Sequence, residues 1–170
     1  QRLAYPHIRP QTRFAMASAN IALVDTAGLN GVLIGWIDGA VDEAHLWADQ
    51  LGAQIIQLDN NRLISGDFDG VDVIVAGVFA GGTRPLNRSM RHIRSWIENG
   101  GHLVSQYHRP IDNWDKTQSA PLRLQPGSPS IRWRVTDPAA PVQMLQPDHP
   151  LLNSPNNITN SNDLICPKHN

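Results

Sequence analysis

The sequence predicts one α/β domain whose layers are built around a mostly parallel sheet. Its 170 residues suit about one domain. Between Asn20 and Tyr107, short runs rich in β-branched residues alternate with segments of helical periodicity, an order typical of parallel sheets. The predicted strands are Ile21 to Asp25, Gly31 to Ile37, Gln54 to Leu58, Val71 to Val78 and His102 to Gln106.

The first predicted helix lies in VDEAHLWADQLG. Asp42 and Glu43 stand at its start, where acidic side chains favour the positive end of the helix dipole, so a structural role is expected for them before an acid–base role. Gly52 ends the helix. The apolar positions at helical spacing are Ala44, Trp47, Ala48 and Leu51. This stripe predicts that Trp47 lies in the core.

The second predicted helix lies in PLNRSMRHIRSWIENGG, where Pro85 suits a first turn and Gly100 a C-terminal cap. Its apolar stripe is Leu86, Met90, Ile93 and Ile97, and Trp96 is expected in the core beside it. The side chains predicted to face solvent, because they avoid the stripe, are Arg88, Arg91 and Arg94. Arg84 precedes the helix and is kept as a site candidate.

The remaining chain is predicted to be irregular. Residues 1–19 read as an N-terminal extension, 20–160 as the α/β domain, and 161–170 as a frayed tail. Within the domain, residues 110–160 read as an irregular wrap with one or two strands, of which Ser130 to Val135 alternates most clearly. The chain begins with Gln1 and not Met, so we expect a processed product or a fragment.

Composition excludes several classes of partner. Lys and Arg number 14 against 15 Asp and Glu, so neither nucleic acid nor an anionic membrane is an expected partner. The longest apolar run is interrupted by Asp72 and is too short to span a bilayer, which predicts a soluble protein. Cys166 is the single cysteine, which excludes an internal disulfide framework and leaves the compartment unknown.

A ligand crevice is expected at the carboxyl ends of the parallel strands. The segments there are Asp38 and Gly39, Phe79 through Arg84, and Gln106 through Arg109. From these segments the ligand-binding candidates are Asp38, Arg84, Gln106, Tyr107 and His108. Trp114 is a further candidate, either as a platform for a carbohydrate ring or as a loop residue packed on the domain.

No catalytic residue and no cofactor are predicted. The turn QYHRP after the last strand has no thiol and no hydroxyl nucleophile at its apex, and no flanking Gly, although a nucleophile elbow requires them. The Gly81-Gly82 pair lacks both the P-loop ending and the dinucleotide fingerprint. A metal site is an alternative in which His108, Asp148 and His149 converge because the chain after Pro110 folds back over the crevice.

Three segments carry a resemblance to a known family: IGWIDGAVDEAHLWADQLGAQIIQLDNNRLISGDFDGVDVIVAGVFAGGTR, IENGGHLVSQYHRP and VTDPAAPVQMLQPDHPLLNSPNNI. Together they resemble the C-terminal domain of large bacterial PIG-L family (LmbE-like) deacetylases, over residues 31 to about 160. The resemblance implies a flavodoxin-like, three-layer domain similar to class I glutamine amidotransferases and to ThuA-like proteins.

The resemblance also implies a function. The zinc-binding His-Pro-Asp-Asp motif of these deacetylases belongs to their N-terminal domain and does not occur here, and the QYHRP turn stands where an amidotransferase has its Cys. The expectation is therefore a non-catalytic accessory domain that binds carbohydrate or packs on a deacetylase catalytic domain. The alternatives are a metal-dependent hydrolase of an N-acetyl sugar or related amide, and a pure interaction module.

Overall fold

The computed structural model describes residues 2–3, 5–7, 9, 11–12, 14, 16, 25–109, 136–137 and 140–158. The chain divides into two compact units, one made of Gln1–Asp25 with Asp137–Asn170 and the other of Thr26–Thr136. Several sequence predictions lie outside the described residues: most of the first predicted strand, the Ser130 to Val135 strand, Trp114, Cys166 and the tail.

The described elements fall in one order along the chain. They are β1 (Arg2–Leu3), β2 (Gln11–Thr12), β3 (Leu33–Ile37), α1 (Ala44–Gln50), β4 (Gln54–Gln57), α2 (Asn60–Ser65), β5 (Val73–Ala76), α3 (Ala80–Thr83), α4 (Leu86–Glu98), β6 (His102–Ser105) and α5 (Pro150–Asn153). None of the described helices has the length and apolar character needed to cross a membrane.

The smaller unit contains an antiparallel pair and a short helix. In the pair, Arg2 lies opposite Thr12 and Leu3 opposite Gln11. Asn156 holds the chain near Asp25, accepting from its backbone N–H at 3.0 Å and donating to its carbonyl at 2.7 Å. These contacts lie within the unit.

The larger unit is an α/β domain with a four-stranded, all-parallel sheet in the order β4-β3-β5-β6. This confirms the fold class predicted from alternating strands and helices. The strands are shorter than predicted: the run from Val71 to Val78 forms a strand only over Val73–Ala76. Asp72 instead turns its carboxylate to the backbone N–H of Leu33 at 2.8 Å.

The connections define a switch point in the sheet. From β3 the chain crosses through α1 to β4 on one side, and from β5 it crosses through α4 to β6 on the other. Right-handed crossovers in opposite directions place α1 on one face of the sheet and α2 with α4 on the other, giving three layers. A crevice opens where the connections diverge, between the carboxyl ends of β3 and β5.

The core lies mainly between the sheet and the face covered by α2 and α4, which pack against each other. Its buried members are Ile37, Leu58, Leu63, Phe68, Val71, Ile74, Ala76, Ala80, Leu86, Met90 and Ile93. Trp96 is half-buried against this cluster and meets Phe68 edge-to-face at 6.2 Å between ring centroids, as predicted for a core residue. The core therefore anchors both ends of the loop from β5 to α4.

The prediction for Trp47 is wrong, because its side chain is 68% exposed. The sheet beneath α1 already contributes an indole, that of Trp36, which is 2% exposed and has its ring 5.2 Å from the ring of His45. The small and flat side chains of Ala44, His45 and Ala48 face this bulk and are partly covered. Trp47 lies at the edge of this packed face, about 100° around the helix from Ala48, so helical spacing identified a stripe but not its packed centre.

Helix α2 has no counterpart among the predicted elements. It is six residues long and places a single apolar side chain, Leu63, in the core. Its signals are at its ends: the Asp59 carboxylate accepts from the Arg62 backbone N–H at 2.9 Å, and Gly66 takes a left-handed conformation with φ of 74°. Capping residues, and not periodicity, mark this helix.

Candidate functional site

Asp38 and Arg84 meet at the switch point of the sheet. The Arg84 Nη2 lies 3.3 Å from Asp38 Oδ2, and Arg84 Nε donates to the Asp38 carbonyl at 3.0 Å. The side chains are 30% and 33% exposed, so the pair is partly shielded from water. Two residues predicted separately as ligand-binding candidates therefore form one ion pair, which joins the loop after β3 to the connection between α3 and α4.

Asp42 makes a second tie between the same loops. Its Oδ2 accepts from the Val78 backbone N–H at 2.8 Å, and its Oδ1 accepts from the Ala44 backbone N–H at 3.1 Å. One carboxylate thus serves the first turn of α1 and the loop after β5. Gly39 allows the loops to come this close, because a Cβ on it would collide with the Val78 carbonyl oxygen.

The turn from β5 into α3 has the residue order of a nucleophile elbow. Such elbows read Gly-x-nucleophile-x-Gly between a strand and a helix, and here Gly77, Phe79 and Gly81 hold the three marked positions. Phe79 has a φ of 61°, a left-handed conformation that is rare for a bulky residue. The elbow order was looked for only in the turn after β6; the glycine spacing in GVFAG is the signal that identifies this second turn.

The elbow presents a ring and not a nucleophile. In elbow hydrolases, the amide after the nucleophile stabilises an oxyanion. Here the Ala80 N–H donates to the Gly77 carbonyl at 3.0 Å, and the Phe79 N–H donates to the Tyr107 carbonyl at 3.1 Å. With a phenyl group at its apex and these amides already bonded, this turn supplies neither an attacking group nor an Ala80 donor.

The side chains beside the elbow form an aromatic and cationic cluster. The rings of Phe79 and Tyr107 lie edge-to-face with centroids 5.6 Å apart. The Arg109 guanidinium carbon lies 4.2 Å from the centroid of the Phe79 ring. Tyr107 is 53% exposed, so part of its side chain is accessible to a ligand. A flat ring and a guanidinium plane together suit contact with the apolar face of a ligand.

Gln106 and His108 follow β6 at the same edge. The Gln106 N–H extends the ladder by donating to the Ala76 carbonyl at 2.9 Å, while its side-chain Oε1 is buried and accepts no hydrogen bond from the described residues. His108 Nδ1 lies 2.7 Å from the Gln106 carbonyl. Because a carbonyl only accepts, Nδ1 carries the proton. Ser105 Oγ lies 3.4 Å from that same nitrogen, so this contact does not make His108 a base for Ser105.

Asp148 and His149 are the remaining candidates for the metal site. His149 and Asp148 belong to the smaller unit, and His149 Nδ1 accepts from the Leu151 backbone N–H at 3.2 Å, which caps α5. Among the residues that the structure describes, no group of three or more His, Cys, Asp or Glu could hold a metal ion. The metal site of His108, Asp148 and His149 stays a prediction.

Two surface cavities flank the paired loops. One, of about 590 Å³, is lined by Ala40, Val41, Asp42 and Glu43. The other, of about 500 Å³, is lined by Asn60, Gly82, Thr83, Arg84, Pro85, Asn87 and Arg88. Ala40 also has a positive φ, of 61°. Left-handed residues other than glycine concentrate at functional sites, and two of them border this crevice.

An α/β fold of this class hosts many unrelated functions, so the function has to be argued from the side chains at the crevice. No protein-family model, curated protein or solved structure matches the chain.

Proposed function

We propose that this chain is a non-catalytic accessory domain that binds carbohydrate, similar to the amidotransferase-like module of PIG-L deacetylases. The observation that carries the proposal is the elbow at Phe79. Its backbone follows the course used to present a nucleophile, yet it presents a phenyl ring, and the Ala80 amide is bonded to Gly77. A turn built in this way can contact a ligand but cannot attack one.

Carbohydrate suits the side chains around that ring. A sugar ring has an apolar face, which packs on aromatic rings, and an edge of hydroxyl groups, which donate and accept hydrogen bonds. Phe79 and Tyr107 supply the aromatic surface. The Oε1 of Gln106 accepts no hydrogen bond from the described residues and is the proposed acceptor, while Arg84, which follows β5 at the same edge of the sheet, supplies N–H donors.

Calorimetric titration with amino sugars tests this function. Tyr107→Phe and His108→Ala are expected to lower the affinity about 10-fold each, because a hydrogen bond to a ligand is worth roughly 1 kcal/mol and an unpaired buried group costs more. His102→Ala is the matched control, since His102 is exposed at the opposite end of β6. Unchanged affinity in both crevice variants would remove these residues from the site.

A second candidate function is docking on a deacetylase catalytic domain, the partner that the resemblance implies. The exposed apolar side chains on and beside α1 favour it: Val41, Leu46, Trp47 and Leu51. Trp47→Ser should then weaken co-purification with such a domain. Ile64→Ser is the control, because Ile64 is similarly exposed but lies on α2. Equal retention of the partner by both variants would contradict the docking role.

A further inference from the structure

We propose that the cavity beside Arg84 binds a negatively charged group, a carboxylate or a phosphate, carried by the crevice ligand. The inference rests on the proposed function for the sugar part of that ligand. It adds a chemical class: an acidic or phosphorylated sugar in place of a neutral one.

The lining of this cavity is cationic and amide-rich. It holds two guanidinium groups, those of Arg84 and Arg88, and two carboxamides, those of Asn60 and Asn87, but no acidic side chain. The whole chain has a formal charge of -1, so this surplus of positive charge is local and not a property of the composition. Guanidinium groups match the planar oxygens of carboxylates and phosphates.

Arg84 is held in place before any ligand arrives. Its Nε–H donates to the Asp38 carbonyl and one Nη2–H to the Asp38 carboxylate, at 3.0 and 3.3 Å. A guanidinium has five N–H donors, so these bonds fix its plane while using only part of its donors. A side chain already fixed loses little conformational entropy on binding.

Arg88 supplies a positive charge in addition to that of Arg84. Asp38 offsets the charge of Arg84, whereas Arg88 is exposed on the first turn of α4 and lines the same cavity. Arg88 can both face solvent, as predicted from the sequence, and line this cavity, because the cavity is open to solvent. An anion in this position is expected to bind in a salt-dependent manner.

The proposed binding of the anion depends on side chains and not on the backbone amides at the start of α4. The backbone N–H of Leu86 donates to the Arg84 carbonyl at 2.8 Å, and those of Arg88 and Ser89 donate to the Pro85 carbonyl at 3.0 and 3.1 Å. These first-turn amides are therefore occupied. Changing one guanidinium is expected to change anion affinity directly.

The experiment compares Arg88→Gln with Arg91→Gln. Both residues are exposed on α4, but only Arg88 lines the cavity. The whole chain is titrated with inorganic phosphate, glucose 6-phosphate, glucuronate and glucose at low and high salt. The anionic sugars are expected to bind about 10-fold more tightly than glucose, and Arg88→Gln is expected to remove most of that difference. Arg91→Gln should leave it intact.

The probes distinguish a phosphate site from a carboxylate site, and they test the anion site separately from the carbohydrate function. Preference for glucose 6-phosphate identifies a phosphate site, and preference for glucuronate a carboxylate site. Equal binding of glucose and the anionic sugars would overturn the anion site while the carbohydrate function stands. Binding of inorganic phosphate that Arg88→Gln abolishes, with no sugar bound, would support the anion site and overturn the carbohydrate function. Equal losses in both arginine variants, or no binding of any probe, would overturn the anion site.

Discussion

The Asp42 carboxylate accepts a hydrogen bond from the Val78 backbone N–H at 2.8 Å, and this contact ties the loop after β3 to the loop after β5. Their strands are neighbours in the sheet, but their connections leave in opposite directions. A side chain of the first loop thus satisfies a backbone donor of the second. Val78 is the residue before Phe79 in the elbow, so Asp42 also supports the position of that ring.

Removal of this carboxylate should destabilise the domain. Asp42→Ala leaves the partly buried Val78 N–H and the Ala44 N–H without their acceptor, which is expected to lower the free energy of unfolding by about 2 kcal/mol in urea titration. Glu43→Ala is the control, because Glu43 is exposed and makes no cap hydrogen bond. Equal stability of the two variants would show that the tie does not contribute.

The strain at Phe79 can be measured by two substitutions that both remove the ring. Phe79→Ala keeps a Cβ in a left-handed conformation, whereas Phe79→Gly removes it. The glycine variant should be the more stable of the two by about 1 kcal/mol, since the left-handed penalty exceeds the extra entropy of an unfolded glycine. Urea unfolding gives the difference. An alanine variant as stable as the glycine variant would mean that the elbow relaxes when the ring is lost.

The close approach of the two loops predicts a strong effect at Gly39. Gly39→Ala puts a Cβ against the Val78 carbonyl oxygen, and the backbone must move, at an expected cost of about 2 kcal/mol. Gly28→Ala is the matched control, because its Cβ would meet only the Asn30 side-chain amide, at 3.3 Å. Thermal unfolding compares them. A Gly39→Ala protein as stable as the control would contradict the predicted collision.

Truncation of Trp36, under α1, and of Trp47, on α1, should have very different effects on the free energy of unfolding. Trp36 is 2% exposed under the helix and Trp47 is 68% exposed on it. Trp36→Ala is expected to lower the free energy of unfolding by about 4 kcal/mol, and Trp47→Ala by less than about 1 kcal/mol. Denaturant unfolding followed by circular dichroism avoids dependence on the indoles themselves. A larger loss for Trp47→Ala would place that side chain in an interface within the protein.

The fold class could be predicted from the sequence because the helix and strand periodicities depend only on residues that are close together in the chain. β3, β4, β5 and β6 all fall inside predicted strands, and α1 and α4 inside predicted helices. The short α2 and α3 have too few apolar positions to show a period. The Asp59 cap begins α2, and the left-handed Phe79 begins α3. These local signals determine a short helix only when the sheet holds both ends of the loop in place.

By itself, the sequence determined the class of the domain and the set of side chains that follow its parallel strands, since alternation and strand ends are local properties of the chain. Tertiary structure decided which of these side chains meet. Strand order put Asp38 beside Arg84, and the packing of α1 on the sheet left Trp47 outside the core. Strand order arises from contacts between residues far apart in the chain, and no local pattern encodes it.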